Sequence, residues 1–543
     1  MYRRIILITV CLFFFSPSVL CAGDDIDDRI ASMTLRQKVG QLIMIGIRER
    51  TLSRQEIMHL KKISPGGIVF YGRNVRHASD IPPLIAQIRE SIEESGFPVF
   101  FATDQEGGIV HRVGGEDYKP PSAVTIGATG SEKIAREVGL SVGSALRTLG
   151  INVNLAPVLD VPHDILSAPI TPRCFSSTPE TVEKLGVAYI CGIQESGILS
   201  AAKHFPGIGR ALVDSHYALP SITWKNARER EADLMPFTSA VRSGVDFIMV
   251  GHVVGEPGDG KTPVSLSSYW MKDVLRDEIG FDGLIIVDNI EMKPIQDMMP
   301  IPKAAVESLR AGADIIMVSH ERENQESVFQ TVLHAAEQGD ISMQRLDDSL
   351  RRILRAKKKL MSRGPENKGV QSLRDISTTV AGHSVIGIKR EGAPDFPLSG
   401  TGTVLYAGNN LLLYKTLVDM FKTAENMNTT MGNFLKIYPS LNPEDFLRKF
   451  DALIIDADYP DAAVLVSFCN ALKIPYLVLK IRPSDIRNTL EKLRPVHLLV
   501  VFEAERVYLE TGLEILSGKR QMLGRLPYDL PLPSGYVYLN PTR

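Results

Sequence analysis

Eight short apolar runs set the strongest constraint on how this chain can fold. They are Gln41–Ile47, Gly67–Tyr71, Val99–Thr103, Asn152–Leu159, Ile198–Ala202, Phe247–Gly251, Leu284–Val287 and Ile315–Ser319. Stretches of helical length and period lie between them, for instance Ser131–Leu149, Pro179–Ser196 and Met235–Ser243. Runs too short for buried helices, alternating with amphipathic stretches, read as βα units around a parallel sheet. Eight such units in about 330 residues favour a closed (β/α)8 TIM-type barrel over an open doubly wound sheet.

Six consecutive runs turn from apolar to ionisable at their C-terminal ends: Asp104, Asp160, Lys203-His204, His252, Asp288 and His320. In a parallel barrel those ends share one face, so the six are expected to converge on one cavity. Two of the units also echo each other. Ser-Gly-Val-Asp-Phe-Ile-Met-Val-Gly-His (243–252) matches Ala-Gly-Ala-Asp-Ile-Ile-Met-Val-Ser-His (311–320), without the fixed period of a solenoid.

At 543 residues the chain exceeds one ordinary core. The pattern breaks at Ser-Arg-Gly-Pro-Glu-Asn-Lys-Gly (362–369), a linker composition. Beyond it Gly402–Ala407, Ala452–Ile455, Tyr476–Leu479 and His497–Phe502 read as buried strands of a smaller α/β layered sandwich. The expected division is a barrel over 23–361, a linker over 362–375 and a second domain over 376–543. Residues 1–22 read as a cleaved secretory signal: Arg3-Arg4, the apolar run Ile5 to Phe15, then Leu20-Cys21-Ala22 before acidic Asp24-Asp25. That run is too short to span a bilayer, so a periplasmic or secreted protein without a membrane span is expected. The rival reading is a lipid anchor on Cys21, although Leu20 stands where a small residue is expected.

Net charge is −2, which argues against nucleic acid as a partner. Cys174, Cys191 and Cys469 are odd in number and widely spaced, unlike a disulfide framework or a zinc site. With no His-x-His, His-Glu-x-x-His, Walker loop or Gly-x-Gly-x-x-Gly, neither a metal nor another cofactor is expected.

The chemistry concentrates in Lys-His-Phe-Pro-Gly-Ile-Gly-Arg-Ala-Leu-Val-Asp-Ser-His (203–216), which glycine and proline keep from forming a regular helix. Asp214, two residues before His216, can accept the ring N–H and raise the imidazole's basicity, which suits proton transfer. Asp288 at the end of an apolar run is open to four roles: nucleophile, general base, metal ligand or helix cap. Asp104, Arg112, Arg173, Lys203 and His204 supply donors and acceptors for a polyhydroxylated or amide-bearing ligand.

Several of these segments together resemble family 3 glycoside hydrolases, in their bacterial β-N-acetylhexosaminidase branch. The resemblance is carried by Lys203-His204-Phe205-Pro206-Gly207-x-Gly209 with Asp214-Ser215-His216 and Pro220, by Asp104-Gln-Glu-Gly-Gly-x-Val-x-Arg112 and by Asn154-Leu-Ala-Pro-Val-Leu-Asp160. Arg173-x-Phe175, Ile248-Met-Val-x-His252 and Gly280-Phe-x-Gly-x-Ile-x-x-Asp288 follow in order, and the whole covers roughly residues 30 to 360. Gly524-Arg525-Leu526-Pro527 resembles the family's second domain more weakly. The resemblance implies Asp288 as nucleophile, His216 as acid/base oriented by Asp214, and Asp104, Arg112, Arg173, Lys203 and His204 gripping an N-acetylglucosamine unit. It implies an exo-acting retaining β-N-acetylglucosaminidase on peptidoglycan- or chitin-derived glycosides. A β-glucosidase or glycosyl phosphorylase of the same family and a non-catalytic sugar-binding relative are the alternatives. Two positions depart from the family pattern: Ile208 replaces a histidine, and Asn289 replaces the second aspartate of a Ser-Asp-Asp.

Overall fold

The computed structural model describes residues 26–92, 99–165, 167–215, 217–362 and 370–391. Further on it describes 403–407, 423–427, 447, 452–460, 462–472, 476–481, 486–493, 495, 497–501, 503, 506–516, 524, 533–534 and 536–538. The expected signal segment, Cys21 and His216 lie outside these residues, as does half of the expected linker, 363–369.

Eight parallel strands close into a barrel: β1 (Ile43–Gly46), β2 (Gly67–Phe70), β3 (Phe100–Thr103), β4 (Val153–Asn154), β5 (Leu199–Phe205), β6 (Phe247–Val250), β7 (Leu284–Val287) and β8 (Ile315–Val318). Every residue of these strands is buried, because helices cover the outside and side chains fill the inside.

Two strands depart from the sequence expectation. β4 ends after Asn154, five residues early, because Pro157 has no N–H to continue a ladder. The chain still runs beside β5, with Leu159 N–H donating to the Lys203 carbonyl and Lys203 N–H to the Pro157 carbonyl. β5 runs on to Phe205, so Lys203 and His204 belong to the strand rather than to the loop after it. Its register against β6 shifts between Lys203 and Phe205. Such a bulge lets neighbouring side chains turn towards one chamber. The helix expected at Met235–Ser243 begins earlier, spanning Ala227–Arg242 with Asn226 as its cap and Pro236 inside it.

The echoed units explain themselves at the opposite end of the barrel. Asp246 and Asp314 stand just before β6 and β8, and the final barrel helix, Met343–Ser362, supplies cations to both. Lys359 pairs with Asp246; Arg345 and Arg352 reach Asp314, which also holds Arg276 at 2.6 Å and the Ser349 hydroxyl at 2.7 Å. The repeated Gly-x-Asp is thus a buried anchor that joins each strand to the closing helix.

The second domain has a seven-stranded mixed sheet from β9 (Ile386–Arg390), β10 (Thr403–Ala407), β11 (Thr423–Met427), β12 (Ala452–Asp456), β13 (Tyr476–Ile481), β14 (His497–Val501) and β15 (Tyr536–Tyr538). The order is β11-β10-β12-β13-β14-β9-β15, antiparallel only at β9. Alternate residues face opposite layers, as the strand period demands. Val404, Tyr406, Ile454, Leu477, Leu479, Leu499 and Val501 join the barrel's core cluster, together with the helix Leu373–Ser384. Leu405, Leu453, Ile455, Val478, Leu498 and Val500 pack with Leu465, Val466, Ile486 and Leu490 on the far side.

Lys357 is a buried cation at the strands' N-terminal end. It is 1% exposed, its Nζ donates to Gln41 Oε1 (2.5 Å) and lies 5.0 Å from the Phe100 ring centroid. No carboxylate among the described residues pairs with it, and burial pushes its pKa down to about 7. The unfolded chain, near the ordinary value of about 10.4, then binds more protons between pH 7 and 10, so stability rises with pH across that window. Lys357→Met should abolish the rise and stabilise the protein at pH 7, as read from denaturant midpoints at pH 7 and 9.5. A wild-type midpoint flat across that range would contradict the buried unpaired lysine.

Candidate active site

The hairpin that follows β3 is held by one side chain. Gln105 Oε1 accepts from the Arg112 and Val113 amides at 2.8 and 3.0 Å, while its Nε2 donates to the Val113 and Tyr118 carbonyls. Gly107 has φ +100°, and a Cβ there would stand 2.3 Å from the Pro121 carbonyl oxygen, so only glycine fits. The turn presents Asp104 and Glu106 to the barrel mouth, where Lys203 reaches both at 2.7 and 2.6 Å. Arg173 grips Glu106 with two parallel bonds, Nε to Oε2 (2.8 Å) and Nη2 to Oε1 (2.7 Å). Burial pushes Glu106 upward, but Arg173 and Lys203 outweigh it and hold the carboxyl well below its ordinary value. Burial likewise opposes the charge on Lys203, and Asp104 and Glu106 outweigh it, so its pKa is raised. Both sides of the network are ionised.

His204 continues the network. Its Nδ1 donates to Asp160 Oδ2 (2.8 Å), which leaves Nε2 facing Arg173 Nη2 at 3.4 Å. Asp160, fully buried, also accepts from the backbone amides of His204 and Ile208, so it fixes the start of the glycine-rich loop.

Asp288 follows β7 directly. Its Oδ1 accepts from the Asn289 amide (2.7 Å). Burial raises its pKa, but His204, His252, the Asn289 N–H and Lys203 together prevail, and the carboxyl sits below its ordinary value. His252 donates from Nε2 to the Asn289 carbonyl (3.1 Å) and accepts at Nδ1 from the Ser265 hydroxyl (2.8 Å). Burial lowers its pKa, which favours the neutral ring. Asn289 Oδ1 accepts from the Ser319 amide, tying the Asp288 turn to β8.

Of the eight residues singled out in the sequence, Asp104, Arg173, Lys203, His204 and Asp288 meet in this chamber. Arg112 borders it: its guanidinium lies 5.7 Å from the Tyr71 ring centroid, and its buried Nε has no hydrogen-bond partner among the described residues. Asp214 lies half-buried in the loop beyond β5, where its carbonyl accepts from the Tyr217 amide. His320 does not join the chamber's charge network but packs at a tilt against the Tyr71 ring (centroids 5.3 Å apart) and meets Arg73 Nη1 at 3.1 Å. Glu106 and Tyr71 were not anticipated. Glu106 stood in view, two residues past Asp104 in a glycine-flanked turn, whereas Tyr71 carried no signal beyond its place at the end of an apolar run. Among the described residues no group of three or more His, Cys, Asp or Glu side chains is placed to hold a metal ion.

The sequence model of the Glycosyl hydrolase family 3 N terminal domain matches residues 34–356. The chain belongs to glycosyl hydrolase family 3. It is 30% identical over 410 residues to Beta-hexosaminidase A of Pseudoalteromonas piscicida, a match covering 70% of this chain and 65% of that protein. It is 33% identical over 288 residues to a Beta-hexosaminidase of Thioalkalivibrio sulfidiphilus, covering 52% of this chain and 81% of that one. Among solved structures, a glycoside hydrolase family 3 beta-N-acetylglucosaminidase from Paenibacillus sp. superposes with a TM-score of 0.80 at 28% identity, over 92% of this chain and 100% of that one. Family 3 members are glycoside hydrolases, and a cluster of ionised side chains lies at this chain's barrel mouth.

Glu106→Gln removes the charge that both Arg173 and Lys203 compensate. Leaving two buried cations short of a partner should cost roughly 3–5 kcal/mol of stability, measured by equilibrium denaturation. A change below about 1 kcal/mol would mean that solvent, not Glu106, satisfies those cations.

Proposed function

We propose that this protein is a retaining exo-β-N-acetylglucosaminidase whose nucleophile is Asp288. The observation that carries the reading is a carboxylate of lowered pKa at the end of β7 beside a buried, charge-balanced cluster of hydrogen-bonding groups. The hexosaminidase and β-N-acetylglucosaminidase names of its relatives support the sugar class. Asp104, Arg112, Arg173, Lys203 and His204 would hold the non-reducing N-acetylglucosamine through its hydroxyls and amide.

With Oδ1 occupied by the Asn289 amide, the other Asp288 oxygen attacks the anomeric carbon as the C1–O bond breaks. The His216 imidazolium gives its proton to the departing oxygen, steadied by Asp214. Water then loses a proton to His216, attacks C1 and frees Asp288, which restores both groups.

Peptidoglycan or chitin fragments are the proposed source of the sugar, in the periplasm or outside the cell, with residues 1–22 as the export signal. N-terminal sequencing of the mature protein tests the address: a start at Gly23 supports it, whereas an acylated Cys21 means a lipoprotein.

Turnover is tested with methylumbelliferyl β-N-acetylglucosaminide against the β-glucoside, with and without phosphate. The N-acetyl sugar should be preferred, and Asp288→Ala should lose on the order of 10⁴-fold in kcat/KM. Acceleration by phosphate would make the enzyme a phosphorylase, and no turnover by folded wild type would leave a binding protein. Because the Asp288 pKa is lowered, its ionised form persists into more acid solution. The acid limb of kcat/KM should therefore fall below the ordinary carboxylate value of about 4, and the alkaline limb should follow loss of the His216 imidazolium's proton. An acid limb centred at pH 6 would contradict the depressed carboxyl.

A further inference from the structure

Asp233, on the helix Ala227–Arg242, lies outside the chamber and is almost fully buried, at 3% exposed. Three donors from three segments converge on its carboxylate. His163 Nε2 lies 2.6 Å from Oδ1, and Arg210 Nε and Trp224 Nε1 both donate to Oδ2 at 2.7 Å. Arg210 belongs to the glycine-rich loop, four residues before Asp214. Trp224 follows the short strand Ser221–Thr223, on which the loop returns and pairs with Val254–Glu256. His163 comes from the segment after Asp160, and its backbone amide donates to the Gly209 carbonyl (3.3 Å). Gly209 is pressed so close that a Cβ would stand 1.9 Å from the Val161 carbonyl oxygen. Arg210 is held from a second side by Glu229 at 3.2 Å. Between the two anchored stems Leu212 and Tyr217 are exposed, 63% and 72%.

We infer that Asp233 is a positioning residue for proton transfer: it fastens both stems of the loop carrying Asp214 and His216 to the barrel. This rests on the reading of His216 as acid/base made above. One carboxylate serves all three donors, and replacing it with an amide leaves the Arg210 guanidinium without its buried counter-charge. The sugar-binding cluster does not touch Asp233, so the loss should fall on proton delivery and spare sugar affinity.

The effect has a signature that a general loss of folded protein lacks. A dinitrophenolate departs without a proton, whereas an alkoxide needs one, and proton transfer from a positioned acid is worth about 10²–10⁴-fold. Wild type, Asp233→Asn, Arg210→Ala and His216→Ala are compared on dinitrophenyl, methylumbelliferyl and methyl β-N-acetylglucosaminides. Melting temperature and the affinity for N-acetylglucosamine are measured alongside. His216→Ala should lose little kcat/KM with dinitrophenol and at least about a hundredfold with methanol as leaving group. Asp233→Asn and Arg210→Ala should show the same gradient at about a tenth of that size, with sugar affinity unchanged. If His216→Ala is graded while the two anchor variants lose equally on all three substrates, or not at all, Asp233 is only structural. If His216→Ala is itself ungraded, the acid/base assignment falls and this inference with it. Arg210→Ala, which leaves His163 and Trp224 in place on Asp233, decides the matter should Asp233→Asn not fold.

Discussion

Burying Lys203 is the constraint that shapes the barrel mouth. The Lys203 ammonium, 2% exposed, keeps its charge because carboxylates meet it, and here Asp104 and Glu106 do so from one turn after β3. Glu106 must in turn be shared with Arg173, and Arg173 borders His204, which is fixed by Asp160. Each group is stable in its place because the next one is charged or polar. The chamber is therefore preorganised by the folded chain itself, with dipoles and charges set before a sugar arrives.

The architecture was legible because strand and helix periods differ and because barrel strands are apolar throughout. Leu284–Val287 is the clearest case, a run with the same limits in sequence and structure. Legibility failed where tertiary partners decide the backbone. The ladder stops at Asn154 because a proline follows and because the Asn154 side chain turns aside to the Gln105 backbone, at 3.0 and 3.1 Å. In the second domain Ile386–Arg390, Thr423–Met427 and Tyr536–Tyr538 escaped notice, since short or polar segments become strands only when a neighbour offers its edge.

Site residues divide along the same line. Those at the ends of apolar runs could be found by position, and the family motifs sharpened their roles. Glu106 was hidden by its neighbours, which explained the turn well enough without it. Asp233 was unreadable in principle: it is an acidic residue in a charged helical stretch, Arg-Glu-Arg-Glu-Ala-Asp, and its partners lie 70, 23 and 9 residues away. Nothing local separates a buried hub from a solvated face.

One contact changes how the two halves of the chain should be regarded. Glu503 belongs to the second domain, yet its Oε1 accepts from the Ser122 amide (2.7 Å) and the Thr125 hydroxyl (2.8 Å) of the barrel domain. Ser122 and Pro121 are the wall against which Gly107 and Gly108 lean. The turn that aims Asp104 and Glu106 is thus buttressed from outside the barrel. A catalytic fragment cut at the linker would keep every chamber residue and still lose the backing of the hairpin that displays them. The family boundary in sequence is not a boundary in mechanics.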